Sequence, residues 1–182
     1  IIDQCGPGDG PTSIKPVMVE ARVPFDEYGN PTLDDRYNAP HRFTVDVQFP
    51  NGVLMVITSE GRNGILVEGT KGRIFVNRGT IAGKPIEELE NNPLPSGWLD
   101  DIYGGPVVEH VNNFFDCIAS RKKPASDVWT HVASINTCHL SNIAIRLGRA
   151  IEWDAATQSI KGDPIANAML VRDSRKGYEI EL

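Results

Sequence analysis

Cysteine is scarce, with three residues in the chain, Cys5, Cys117 and Cys138. They form no C-x-x-C pair, and an odd number is poorly suited to a disulfide framework, so buried free thiols are expected. Long apolar runs are also missing. The longest, Val53 to Ile57, has the length of a strand and falls far short of the roughly 18 to 20 residues that cross a bilayer. Basic residues are outnumbered, 18 to 24, which gives a formal net charge of −6. Phosphate backbones and anionic membrane surfaces recruit clustered Lys and Arg, so neither nucleic acid nor membrane is an expected partner. The chain begins Ile1-Ile2-Asp3-Gln4. Without an initiator Met or a charged-then-apolar leader, that terminus is expected to arise from cleavage or design. A cytoplasmic location is favoured, or a periplasmic one if an export signal precedes Ile1.

A chain of 182 residues with 40% hydrophobic content suffices for one sizeable core. Val17, Val19 and Ala21 alternate within residues 15–22, which predicts a first strand with those three side chains on one face. Residues 24–40 show no apolar period and are rich in Asp, Asn, Gly and Pro, which predicts a long surface loop. Phe43, Val45, Val47 and Phe49 alternate with polar residues and predict a strand with one buried face. Asn51-Gly52 predicts a tight turn into an antiparallel strand over 53–58. A second hairpin is expected from strands at 65–69 and 73–77 around Thr70-Lys71-Gly72, with an edge strand at 79–83. The unbroken apolar run Val53 to Ile57 predicts burial on both sides of its strand, and hence a second copy paired on the open face of the sheet.

Beyond residue 106 the period becomes helical. Val107, Val111, Phe114, Phe115 and Ile118 define one amphipathic helix started by Pro106. Val132, Ile135, Leu140, Ile143 and Leu147 define another, capped by Ser126 or Asp127 and ended by Gly148. Both helices are expected to cover one face of the meander, in an α+β sandwich of one sheet and one helical layer. A short strand near Ile151–Trp153 and a short helix over 164–171 complete the reading.

Few residues carry chemistry by spacing alone. Gly6, Gly8 and Gly10 lack the following helix that would aim backbone N–H groups at a phosphate. Gly69 to Gly72 joins two strands and fails likewise. His131 and His139 lie about 80° and roughly 12 Å apart on one helix, too far to share a metal. His139 falls beside Ile135 and Ile143, as a hydrogen-bonded core histidine or as a substrate-facing polar group. Asp100 and Asp101 adjoin Trp98 and Tyr103, a pairing of carboxylates with aromatics that suits sugar binding or a solvated loop. No Ser-His-Asp set or zinc motif can be assembled, and no carboxylate pair has the context of a glycoside hydrolase.

Several strings together raise the reading above an α+β domain. They are Tyr37-Asn38-Ala39-Pro40, the run from Val67 to Gly79 (VEGTKGRIFVNRG), that from Asn113 to Pro124 (NFFDCIASRKKP), that from Cys138 to Arg149 (CHLSNIAIRLGR), and Trp153-Asp154. In this order they resemble the carboxyl-terminal domain of the glucose-fructose oxidoreductase, inositol dehydrogenase and MocA family. The resemblance implies an open, mainly antiparallel sheet with helices on one face, like the carboxyl-terminal domain of glyceraldehyde-3-phosphate dehydrogenase. It implies that residues 1–182 form one substrate and oligomerisation domain, lacking the Rossmann half that binds NAD or NADP. It further implies hydride exchange with a sugar or polyol, and a homodimer or homotetramer formed through the sheet. The family's catalytic Lys and His have no counterpart here, so this chain by itself is expected to be inactive. Asp3 matches the Asp that often follows the family's His by three residues, which gives it a supporting place near substrate, and His139 is the other substrate-side candidate. A non-enzymatic assembly or carbohydrate-binding module on the same sheet is the rival reading.

Overall fold

A computed structural model describes residues 10–98, 100, 105, 108–172 and 174–179. It contains only antiparallel strand pairs among those residues, and the sheets are open, which makes the fold α+β. The described chain divides into two compact units. One runs to Glu60 and resumes at Val128; the other is Gly61–Asp127.

In the first unit, β1 (Ser13–Ala21), β2 (Pro40–Gln48), β3 (Leu54–Thr58), β7 (Ile151–Asp154) and β8 (Ser159–Ile160) form a sheet in the order β3-β2-β1-β7-β8. The alternation in β2 is realised: Val45 and Val47 are fully buried, as is Phe49 just beyond the strand. In β1 the expected single face fails. Pro16 pairs with Val45 and Met18 with Thr44, which leaves Val17 as an extra residue in a bulge. The bulge reverses the alternation, so Ile14 is buried before it and Val19 packs on the core after it, while Val17 stands 56% exposed. Pro16 has no N–H to give to a ladder, and strand prolines are confined to edges and bulges.

The β2–β3 turn holds three residues, Pro50 to Gly52, between Phe49 and Val53, whose backbones bond at 3.0 Å. Gly52 alone takes a positive φ, of 83°. Asn51 instead accepts the Val53 N–H, so this is the three-residue hairpin with glycine in the left-handed position. On β3, Met55 and Ile57 pack on the core, but Leu54 and Val56 stand 53% and 51% exposed. Among the described residues, β3 is therefore buried on one side only.

The long helix spans Val128–Leu147 and is ended by Gly148 at φ +63°, whose N–H bonds Ile145 O. Its carboxyl-terminal half packs on β1 and β2 through Leu140, Ile143 and Ala144. Trp153 on β7, Ile160 on β8 and Ala166 on the helix Pro164–Ala168 close the same core. That last helix is shorter than expected: Asp163 caps it by accepting the Ala166 N–H.

In the second unit, β4 (Ile65–Gly69), β5 (Gly72–Val76) and β6 (Ile81–Ala82) form a separate three-stranded sheet. The single continuous meander is thus corrected to two sheets. A one-turn helix, α1 (Lys84–Glu87), packs on β5. Next in chain order is α2 (His110–Ser120), so the long helix is α3 and the last one α4. Helix α2 starts three residues later than Val107, which lies with Pro106 outside the described residues. On it Val111, Phe114, Phe115 and Ile118 are all about half exposed or more.

Candidate functional site

Of the two candidate substrate residues, Asp3 lies outside the described residues, as do Asp101 and Tyr103. His139 is placed on an exposed position of α3, so the core-histidine reading is corrected. The buried stripe of α3 runs through Thr137, Leu140, Ser141 and Ala144, and His139 projects about 100° away from Leu140 at the helical period. The apolar residue one turn earlier, Ile135, is itself 49% exposed, which spacing alone could not reveal. His131 is also exposed. Among the described residues no group of three or more His, Cys, Asp or Glu is placed to hold a metal ion. Trp98 is 43% exposed and Asp100 is exposed.

The loop between β1 and β2 is the best-built polar feature. Asp26 Oδ1 accepts the backbone N–H of Asn30 at 2.7 Å and of Tyr28 at 2.9 Å. The Asn30 N–H, above all, holds the Asp26 carboxyl below its ordinary range. Phe25 and Pro31 bridge as a one-pair ladder, and Thr32 donates to Pro24 O through both N–H and hydroxyl. From α3, Arg146 Nε donates to Gly29 O at 2.6 Å, and its guanidinium sits 5.7 Å from the Phe25 ring centre. Gly29 is buried, with φ +75°. A Cβ there would meet Met169 Cε at 3.0 Å and Leu147 Cδ2 at 3.3 Å. The loop is therefore clamped to the end of α3, and it presents Tyr28 and Tyr37, 55% and 68% exposed, to solvent. Asp35 is engaged by Arg36 through two bonds of 2.7 and 2.9 Å; Asp34 is exposed.

A second constellation joins the same end of the sheet. Arg42 on β2 grips Glu60 through Nε (2.8 Å) and Nη2 (3.2 Å), and Glu20 on β1 through Nη1 (3.0 Å). His41 Nε2 lies 3.9 Å from Glu20 Oε2. The hydrogen bond to Glu60 leads the causes that raise the Arg42 pKa, and the same bond depresses that of Glu60. This network was not foreseen, because it depends on the cross-strand pairing of Glu20 with Arg42, which is settled only after the Val17 bulge. All of it is exposed, so it orients strands and fixes a cation without enclosing a ligand.

No curated protein and no solved structure matches the chain. A family model described as "Oxidoreductase family, C-terminal alpha/beta domain" matches residues 16–180, a span that holds the three-stranded sheet, the five-stranded sheet apart from the first three residues of β1, the clamped loop and the four described α-helices. The chain therefore belongs to the Gfo/Idh/MocA oxidoreductase family, as its C-terminal domain.

Proposed function

We propose that this domain is the substrate-binding and oligomerisation half of an NAD(P)-dependent oxidoreductase acting on a sugar or polyol, with hydride transfer carried out in company with an amino-terminal Rossmann domain. The match over residues 16–180 carries the reading. The family generally binds NAD(P) in its amino-terminal domain, and the described residues do not themselves fit the dinucleotide. A dinucleotide cradle needs a strand, a glycine-rich turn and a helix leading to a parallel strand. Here every described strand pair is antiparallel, and Gly10 leads into β1 rather than a helix. No step of hydride transfer is assigned to these residues.

Their part is recognition. The rings of Tyr28 and Tyr37 offer flat apolar faces for a pyranose or inositol ring, and the exposed carboxylate of Asp34 accepts hydroxyl hydrogens. The clamp through Arg146 and Gly29 lowers the ordering cost of binding. Asp3 and His139 are assigned supporting positions on the substrate side. A second copy covering Leu54 and Val56 accounts for the two half-exposed aliphatic residues on β3. Among the described residues no helix is long and apolar enough to cross a membrane.

The test is a steady-state assay of the product of the complete gene with NAD or NADP and a panel of pyranoses, inositols and open-chain polyols, read by nicotinamide absorbance. One class should be turned over, and Tyr28→Ala or Tyr37→Ala should raise its KM several-fold. Failure with every class would refute the enzyme reading, and sugar binding without dinucleotide binding would establish the carbohydrate module instead.

A further inference from the structure

The chain holds two Asn-Gly pairs, Asn51-Gly52 and Asn63-Gly64, and their surroundings differ. Asparagine is a thermolabile residue, most of all before glycine, whose backbone nitrogen, unhindered by a Cβ, reaches the asparagine side-chain carbonyl carbon readily. At the first pair both reacting groups are held. Gly52 N–H donates to Phe49 O at 3.0 Å, and Asn51 Oδ1 accepts the Val53 N–H at 3.1 Å. At the second pair, among the described residues, no hydrogen bond engages the Gly64 N–H or the Asn63 side chain.

Packing fixes the second glycine. Gly64 has φ +154°, and a Cβ there would run into the Phe75 ring and lie 2.8 Å from Val76 O. The labile pair therefore cannot be removed at its glycine without strain. The Arg62 guanidinium sits over the Phe75 ring at 4.2 Å, so both chain neighbours of Asn63 lie against Phe75. We propose that Asn63 is a site of spontaneous deamidation and that Asn51 is spared. The Gly64 nitrogen attacks Asn63 Cγ, a C–N bond forms, and the side-chain amide leaves as ammonia with the proton from Gly64. Water then opens the cyclic imide at either carbonyl, which gives aspartate or isoaspartate. Isoaspartate adds a methylene to the main chain directly ahead of β4. That insertion drives Gly64 from its slot beside Phe75 and Val76 O and loosens the first pair of the β4–β5 ladder, Ile65 with Val76. The new carboxylate also stands beside Arg62, where it competes with the Phe75 ring for the guanidinium.

The experiment incubates the complete gene product under mildly alkaline conditions, then digests it and reads the peptides by mass spectrometry with fragmentation that separates isoaspartate from aspartate. Two net hydrogen bonds must break before Asn51 reacts, so Asn63 should convert roughly tenfold to a hundredfold faster. In the guanidinium-unfolded protein, where those bonds are gone, the two pairs should convert at comparable rates. Attack needs the deprotonated Gly64 nitrogen, so conversion of Asn63 should slow at mildly acidic pH. Converted wild type should show faster amide exchange at Ile65, with Val47 of the five-stranded sheet unchanged, and Asn63→Gln incubated in parallel should show neither conversion at that position nor the faster exchange. Equal rates at the two pairs in the folded protein, or conversion at Asn51 alone, would overturn the proposal. So would an Asn63 that stays intact in the folded protein while both pairs react in the unfolded one. Unchanged exchange at Ile65 in fully converted protein would overturn the loosening of β4.

Discussion

Replacing Asn167 by Ala should open the outer edge of the five-stranded sheet. Asn167 sits in α4, yet its side chain imitates a neighbouring strand: Oδ1 accepts the Ile160 N–H at 2.9 Å and Nδ2 donates to Ile160 O. Nδ2 donates also to Asp163 O at 2.9 Å. Ile160 is 2% exposed, so both of its backbone groups lose their partner at a place water reaches poorly. Three bonds at about 1 kcal/mol each, less a few tenths regained from the better helix propensity of Ala, give a net cost of about 2–3 kcal/mol. For a chain of this size that corresponds to a fall in Tm of roughly 4–12 °C. Urea unfolding followed by fluorescence suits the test, because Trp153 lies in the same core at 5% exposure. Asn167→Asp keeps the acceptor but sets a carboxylate against two carbonyl oxygens, and should cost at least as much at neutral pH. A loss below about 0.5 kcal/mol for Asn167→Ala, the range of ordinary surface changes, would refute the reasoning.

Gly29→Ala should destabilise by about 1–2 kcal/mol, since an L side chain is strained at this φ, and should speed amide exchange at Asn30. Asp163 is held below its ordinary pKa first by the Arg149 hydrogen bond. Its stabilisation is therefore complete above the unfolded value of 3.8 and lost as pH falls through the lower folded value. Asp163→Asn preserves a capping side chain, so its cost at neutral pH should be about 0.5–1 kcal/mol. Its stability should then fall less than the wild type's between pH 5 and pH 2, as read by urea midpoints at about those values. His139→Ala should change stability by less than about 0.5 kcal/mol, whereas a hydrogen-bonded core histidine would cost more than 1 kcal/mol.

The parts of the fold that were legible are those where local pattern and tertiary environment agree. Val45, Val47 and Phe49 alternate because β2 lies mid-sheet with α3 on one face only, and Gly148 ends α3 where a left-handed residue is required. The hidden parts depend on long-range pairing. The Val17 bulge comes from fitting Pro16 into a ladder with β2, and β8 is a two-residue strand completed by a side chain from α4. The split into two sheets is invisible to a period of two, which looks the same whichever neighbour a strand takes. For the site, composition located the 24–40 loop but not its clamp, because Arg146 and Gly29 are 117 residues apart. The amphipathic period of α2 was legible, but a period identifies an apolar face without identifying what covers it.

The most direct test of the central claim is a calorimetric titration of NAD and NADP into the complete gene product and, in parallel, into this chain. Saturable binding of one dinucleotide by the complete product and none by this chain is the expected result. Saturable binding by the 182-residue chain itself, or by neither protein, would contradict the assignment of cofactor and substrate to separate halves.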